Sequence, residues 1–276
     1  MGYPDPLKVF SRKLTDNVVV SSSGFKRFDR INFGARMALF NYNDTIVVWS
    51  ALPYSEGVKE ALKMSSGAKE PNVKYVVIPD REHTMAAKSF KEQFPQLKII
   101  AMEGVDLGKS VPIDYVVTSK YKNQLIDAQK LKEIGISDPV ILDNFEFVYL
   151  PSHANSELVM YDKQSRALFQ ADLLFNLKQG DGNEQFSKHC GHEGGNPFSG
   201  FSYLARFMHP DSKFGRFFMN KAVNSGAAAE GLQKIYGWDF EKVVMCHGSI
   251  IESGGREVFK KVFASAIDKK STGEYR

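Results

Sequence analysis

The run Leu150-Pro-Ser-His153-Ala-Asn-Ser156 leads into two apolar strand-length stretches, residues 158–162 and 167–170, and the second runs on into Ala171-Asp172-Leu-Leu-Phe175. Lys163-Gln-Ser-Arg166 supplies a polar turn between them, so the segment reads as a β-hairpin with a chemistry-bearing residue beyond each outer end. His153 and Asp172 stand 19 residues apart in sequence. The hairpin carries both to the ends of paired strands, where a rigid scaffold can present ligands to a common point.

The rest of the chain alternates strand and helix patterns. Three β-rich runs open it, residues 17–21, 35–41 and 45–50, with Asn43-Asp44 as turn chemistry. Helical spacing over 56–63, a compact apolar run at 75–79, helical period over 84–94 and a strand at 98–101 follow. Residues 115–117 read as strand, 121–131 as helix and 145–150 as strand. From 176 to 200 the composition shifts to Gly, Asn, Gln, Asp and His, which reads as one long loop, either a lid or a disordered segment. Residues 201–208 and 213–220 are aromatic-rich with helical period, and 227–235 is a strong helix former ending at Gly237. An apolar strand at 242–246 ends on His247-Gly248, and 255–267 is a terminal amphipathic helix. The expectation is a single domain over 1–276 with a loop and helical insertion at about 176–236.

Composition removes several function classes. Hydrophobic residues make up 43% and charged residues 25%, outside the regime of disordered chains. The net charge of +4 is spread without a basic run, so no nucleic-acid partner is expected. The two cysteines, Cys190 and Cys246, make a disulfide framework improbable, and Cys246 in its apolar run reads as a structural thiol. No apolar h-region or membrane-length stretch occurs, and Pro6 stands where a myristoylation signal wants Ser or Thr. The expectation is a cytoplasmic protein with no membrane partner.

Two further pieces stand in order with the hairpin. Val243-Val-Met-Cys-His247-Gly248 is an apolar strand ending on histidine, and Tyr75-Val-Val-Ile-Pro-Asp-Arg-Glu-His83 is another, followed by a helix and by Leu97-Lys-Ile-Ile-Ala101. Together with Pro151-Ser-His153 and Ala171-Asp172-Leu-Leu-Phe175, these resemble the second to fifth motifs of the metallo-β-lactamase superfamily, in family order and across nearly the whole chain. Trp238-Asp-Phe-x-x-Val-Val-x-x-His247-Gly248 resembles a poorly characterised branch of that superfamily. The resemblance implies a mixed α/β fold, a four-layer αββα sandwich.

It also implies a metal site with part of the usual set missing. The family's second motif is His-x-His-x-Asp-His; here Ile78 and Asp80 occupy the first two histidine positions and Glu82 the aspartate position, so only His83 is kept. One of the two family sites would retain His153 and Asp80. The other maps onto Glu82, His83, Asp172 and His247. Glu82 is one methylene longer than aspartate and projects past the ligand position. Two imidazoles with carboxylates suit one divalent ion, zinc first, with manganese or iron also accommodated. Asp80 or Glu82 is then available as proton acceptor for hydrolysis of a small ester, thioester or phosphoester. The alternative is a non-catalytic member of the fold that binds or scaffolds, which Ile78 and Glu82 favour. A redox role would need the full ligand set.

Taken singly, each histidine is more readily a hydrogen-bonded strand-end residue than a ligand. His189-Cys190-Gly-His192 gathers three ligand types but lacks a partnered pair, and reads as a polar loop. Phe198, Phe201, Tyr203, Phe207, Phe214, Phe217 and Phe218 could line an apolar pocket for a small-molecule substrate, although helix packing onto a core explains such residues as well.

Overall fold

β-branched and aromatic runs broken by short polar turns fold into two sheets, and the amphipathic segments between them cover the outer faces. The computed structural model describes residues 2–178 and 183–269. In chain order the first half comprises strands β1 (Val9–Thr15), β2 (Val18–Ser23), β3 (Lys26–Arg27), β4 (Ile31–Asn32), β5 (Ala35–Tyr42) and β6 (Thr45–Trp49), helix α1 (Glu56–Ser66), strand β7 (Val73–Val77), helix α2 (Ala87–Gln93), and strands β8 (Lys98–Met102) and β9 (Tyr115–Val117). The second half holds β10 (Leu125–Ile126), α3 (Ala128–Glu133), α4 (Pro139–Asn144), β11 (Phe145–Leu150), β12 (Glu157–Asp162) and β13 (Ala167–Gln170). Helices α5 (Lys213–Val223) and α6 (Ala229–Tyr236), strand β14 (Lys242–Met245) and helix α7 (Gly255–Ile267) complete it.

The seven-stranded sheet runs β1-β2-β5-β6-β7-β8-β9, antiparallel as far as β6 and parallel from there on. The five-stranded sheet runs β10-β11-β12-β13-β14, with only β13 and β14 parallel. Alternation of side chains along each strand sorts the apolar residues into three cores. Val18, Phe40, Val47 and Trp49 meet Phe147, Met160, Phe169 and Val244 between the sheets. Val48, Val76 and Ile99 face α1 and α2, while Val159, Leu168 and Met245 face α5, α6 and α7. The result is the αββα sandwich expected from the motif order.

Local chemistry adds one strand and revises three of the expected elements. Residues 9–15 form an edge strand paired with β2; Arg12 and Lys13 within it hide the apolar pattern. The stretch read as one helix over 121–131 divides, because Leu125 and Ile126 pair with Val148 and Phe147 before Asp127 caps α3. Residues 201–208 fall in a 3₁₀ segment, Gly200–Phe207, rather than an α-helix. Residues 179–182 of the expected long loop lie outside the described residues. Part of the described stretch is packed: two short 3₁₀ turns, Glu184–Phe186 and Lys188–Cys190, place Gln185 and Cys190 in full burial, while residues 193–196 are exposed. Glu184 pairs with the buried Arg36 at 3.1 Å.

Helix α7 is tied to the chain beyond β13 through Asp211, which accepts from Lys261 Nζ at 2.7 Å and Lys178 Nζ at 3.1 Å. These hydrogen bonds, Lys261 foremost, hold its carboxyl down to about 2, from an ordinary value of 3.8. A carboxyl that is the stronger acid when folded stabilises the fold above its ordinary pKa and loses that contribution as pH falls through the folded value. Because the carboxylate is solvent-screened, Asp211→Asn is expected to cost under about 1 kcal/mol at neutral pH, with the cost shrinking as pH falls from about 4 toward 2 and vanishing below that. Urea midpoints of both proteins across that range check it. A difference that does not change with pH would count against the assignment.

Candidate metal centre

The site grows from strand ends on both sheets. Beyond β7 the chain turns through Pro79 and Asp80, and the turn is stitched to the other sheet: Leu158 N–H donates to Pro79 O at 2.7 Å, and Arg81 N–H to Asn155 O at 3.0 Å. Asp80 is fully buried. Its Oδ1 accepts from the backbone N–H groups of Glu82 at 2.7 Å and His83 at 2.9 Å, and lies 2.9 Å from His83 Nδ1. This Asx-type turn fixes both the loop and the imidazole. The thiol of Cys246 lies against the same ring.

His247 stands at the end of β14. Its Nδ1 is 2.7 Å from the carbonyl oxygen of Gly34, which can only accept, so Nδ1 carries the proton and Nε2 offers a lone pair in the neutral ring. Phe175 stacks on that ring at 5.7 Å and Phe33 meets it edge-on at 5.4 Å. Gly248 follows with φ of +105°, and a Cβ there would come within 2.2 Å of Asn176 O. Only glycine permits the tight apposition that puts His247 beside the chain leaving β13.

Asp172, just past β13, is aimed from behind. The buried carboxylate of Glu157 accepts from Ala171 N–H at 2.5 Å and Asp172 N–H at 3.0 Å, and Asn155 Nδ2 donates to Asp172 Oδ2 at 2.6 Å. The other oxygen, Oδ1, is left 3.2 Å from His247 Nε2 and accepts no well-formed hydrogen bond among the described residues.

His83, Asp172 and His247 thereby bring three ligand atoms within 4.8 Å of one another. Two atoms each about 2.0–2.2 Å from one tetrahedral ion stand roughly 3.3–3.5 Å apart, close to the His247–Asp172 separation. Both histidines also have the outer hydrogen-bond partner typical of metal ligands, Asp80 for His83 and the Gly34 carbonyl for His247. A buried carboxylate oxygen that lacks a well-formed hydrogen bond and faces an imidazole lone pair is the arrangement a cation satisfies. The residues therefore fit a divalent ion.

No protein-family model matches the sequence, and no curated protein is similar to it. Solved structures do match in three dimensions. The DIM-1 metallo-β-lactamase exposed to ceftazidime superposes with a TM-score of 0.57 at 14% identity, over 96% of this chain and 98% of that one. A metallo-β-lactamase from Erythrobacter litoralis, with β-mercaptoethanol in its active site, gives 0.59 at 10% identity over 95% and 97% of the two chains. FIM-1 from Pseudomonas aeruginosa in its mono-zinc form gives 0.56 at 10% identity over 96% and 97%. This chain has the metallo-β-lactamase fold.

Within that fold the expected site residues do not all converge. Glu82 is turned outward, its side chain 43% exposed and paired with Arg27 at 3.3 Å, so it stands apart from the three-residue group. His153 is buried, and its Nδ1 accepts from Asn155 N–H at 3.2 Å, which leaves Nε2 as the N–H of the neutral ring, near the Asp172 backbone and without a well-formed hydrogen bond among the described residues. Asp80 contributes through His83 and keeps an unpartnered Oδ2. Ile78 is 1% exposed and belongs to the core under α2. The loop set does not gather either: Cys190 Sγ donates to Ser22 O, His189 packs on Phe10, and His192 Nε2 lies 3.3 Å from Gly195 O.

Electrostatics follow from this crowding of ionisable groups out of water. Burial opposes a charged His83, but the Asp80 carboxylate and the Cys246 side chain together outweigh it and hold the imidazole well above its ordinary range. Burial pushes His153 down against the pull of Asp172 and Asp80. For Glu157, burial first and then the charges of Asp80 and Asp172 raise the carboxyl well up. Asp172 goes the other way: burial resists ionisation, yet contact with His247 and the nearby charges of His247, His83 and His153 hold its carboxyl well down.

Four contributors escaped the sequence reading. Glu157 and Asn155 sit in the hairpin itself but look like ordinary polar strand and turn residues. Arg36 and Gln185 act from far along the chain. Arg36 Nη1 donates to the carbonyls of Met245 at 2.6 Å and Gly248 at 2.7 Å, and the Gln185 amide bonds Cys246 O and Gly248 N, both at 2.7 Å. A buried arginine in a strand, followed at a distance by a Glu-Gln pair, is the faint signal that was there to find. A shallow pocket opens over His83 and His247, with Tyr3, Phe25, Arg27 and Met85 around its mouth.

Proposed function

We propose that this chain is a metal-dependent hydrolase with a reduced, mononuclear site, acting on a small ester, thioester or phosphoester. The observation that carries the reading is the convergence of His83, Asp172 and His247, each braced from behind by Asp80, Glu157 with Asn155, or Gly34. Two nitrogens and one oxygen favour zinc, with manganese or iron as the alternatives. When bound, such an ion supplies Lewis acidity toward a carbonyl or phosphoryl oxygen.

The chain's own groups supply the rest. His153 Nε2–H, buried and without a well-formed hydrogen bond among the described residues, is the donor for a substrate oxygen, and Asp80 Oδ2, also without one, is the acceptor for a proton. Phe33 and Phe175 wall the site and exclude water beside His247. Glu82, paired with Arg27 at the mouth, selects among substrates rather than holding the ion.

A second reading, a binding protein without turnover, draws on Ile78, which is buried in the core where the resemblance places a histidine. One experiment separates them. Protein purified without chelator is expected to carry close to one divalent ion per chain and to hydrolyse at least one of p-nitrophenyl acetate, an acyl thioester and bis-p-nitrophenyl phosphate. His247→Ala, with its circular dichroism unchanged, is expected to lose that turnover. Protein that holds the ion yet turns over none of the panel overturns catalysis and leaves the binding reading.

A further inference from the structure

Helix α5 and the 3₁₀ segment Gly200–Phe207 each bury a narrow face and leave a broad apolar one uncovered. Inward lie Ser202 and Ala205 from the segment and Gly215, Met219 and Val223 from α5. Outward stand Phe201 at 72% exposure, Phe217 at 67% and Leu204 at 64%, with Tyr203, Phe214 and Phe218 also exposed. Large aromatics this exposed on adjoining segments are not the scattered surface residues of an ordinary soluble face.

Charge says what covers them. Between Glu193 and Glu230 the sequence holds Arg206, Lys213, Arg216 and Lys221 against a single acid, Asp211, which Lys178 and Lys261 already occupy. Arg206 lies over the rings of Tyr203 at 4.5 Å and Phe207 at 4.8 Å, and Arg30 over Phe201 at 5.3 Å. Aromatics interleaved with arginine and lysine, and free of unpaired acids, are the composition of a surface that lies in the headgroup region of an anionic bilayer. A two-fold contact between copies of this chain would set the same cations against each other. The anchoring is firm: Asn32 N–H donates to Ser202 Oγ at 2.9 Å, and Asn32 Nδ2 to Pro197 O at 2.7 Å.

We propose that the exposed face of Gly200–Phe207 and α5 is a docking surface for an anionic lipid bilayer. Phe218 is 6.2 Å from Phe175, which stacks on His247, so docking brings the metal centre to the lipid boundary. The sequence signals of membrane attachment are spans, leaders and lipidation sites, and a peripheral face of this kind carries none of them. Among the described residues no helix is long and apolar enough to cross a membrane, and a peripheral face needs none.

The test is flotation with vesicles of phosphatidylcholine alone or with about 30% phosphatidylglycerol, using chelator-treated protein so that the outcome does not depend on the hydrolase reading. The full chain is expected to float with the anionic vesicles, to be released by high salt, and to bind them at least about tenfold more weakly as Phe201→Ser/Phe217→Ser. Both residues are exposed, so that variant should keep the parent melting temperature. Protein that stays unbound with anionic vesicles, or binds equally after the double substitution, overturns the proposal. So does concentration-dependent dimerisation in sedimentation velocity that the same substitutions abolish, which would assign the face to a second copy.

Discussion

Zinc added to metal-stripped protein is expected to raise its melting temperature by roughly 5–10 °C, and Asp172→Asn to abolish the rise. An ion at a hundred times its dissociation constant stabilises the folded chain by about 2.7 kcal/mol, and each kcal/mol moves the midpoint of a chain of this size by roughly 2–4 °C. Asp172 is the informative residue because its two oxygens are divided, Oδ2 taking Asn155 and Oδ1 facing His247 Nε2 at 3.2 Å. Asparagine keeps the shape and loses the charge that ligation needs. Differential scanning calorimetry with and without zinc decides it. An equal rise in both proteins would place the ion elsewhere, and no rise in either would remove it from the fold.

Arg36→Met is expected to cost about 3–5 kcal/mol, the usual consequence of breaking a buried charge network from one side. Arg36 is 1% exposed, and its guanidinium spans the Met245 and Gly248 carbonyls and Glu184. Burial pulls its pKa down, and the Glu184 carboxylate pulls it back up. Methionine fills the space but strips both carbonyls of their donor, and Arg12 is left alone to hold Glu184. Chemical denaturation measures the loss. Because those two carbonyls flank His247, the variant should also bind zinc more weakly than the parent; unchanged stability together with unchanged zinc affinity would show that the arginine braces nothing.

The fold was legible because it is written in local patterns repeated along the chain. Val47, Val76 and Leu168 alternate with residues of the opposite face in short runs, and His153, Asp172 and His247 each follow such a run, so strand ends could be placed from sequence spacing. The second motif was harder. Its register fixes Asp80 and His83 in the loop beyond β7, but which carboxylate points inward depends on contacts that spacing does not report, some within the turn and some far away. Arg27, on another strand, draws Glu82 out. Asp80 is held in by three partners of its own turn, Glu82 N, His83 N and the His83 ring. Glu157 and Asn155 carry no sequence signal because their roles are set by where β12 and β13 meet, which spacing does not report.

Gln185 gives one more consequence. Both ends of its amide are engaged with the backbone on either side of His247, and a Cβ on Gly34 would strike it at 2.4 Å. The segment that composition marks as a cover is thus a strut inside the wall. Substitutions that loosen it to ease traffic through the mouth should be felt as weaker grip on the ion, so opening and affinity cannot be tuned separately in this chain.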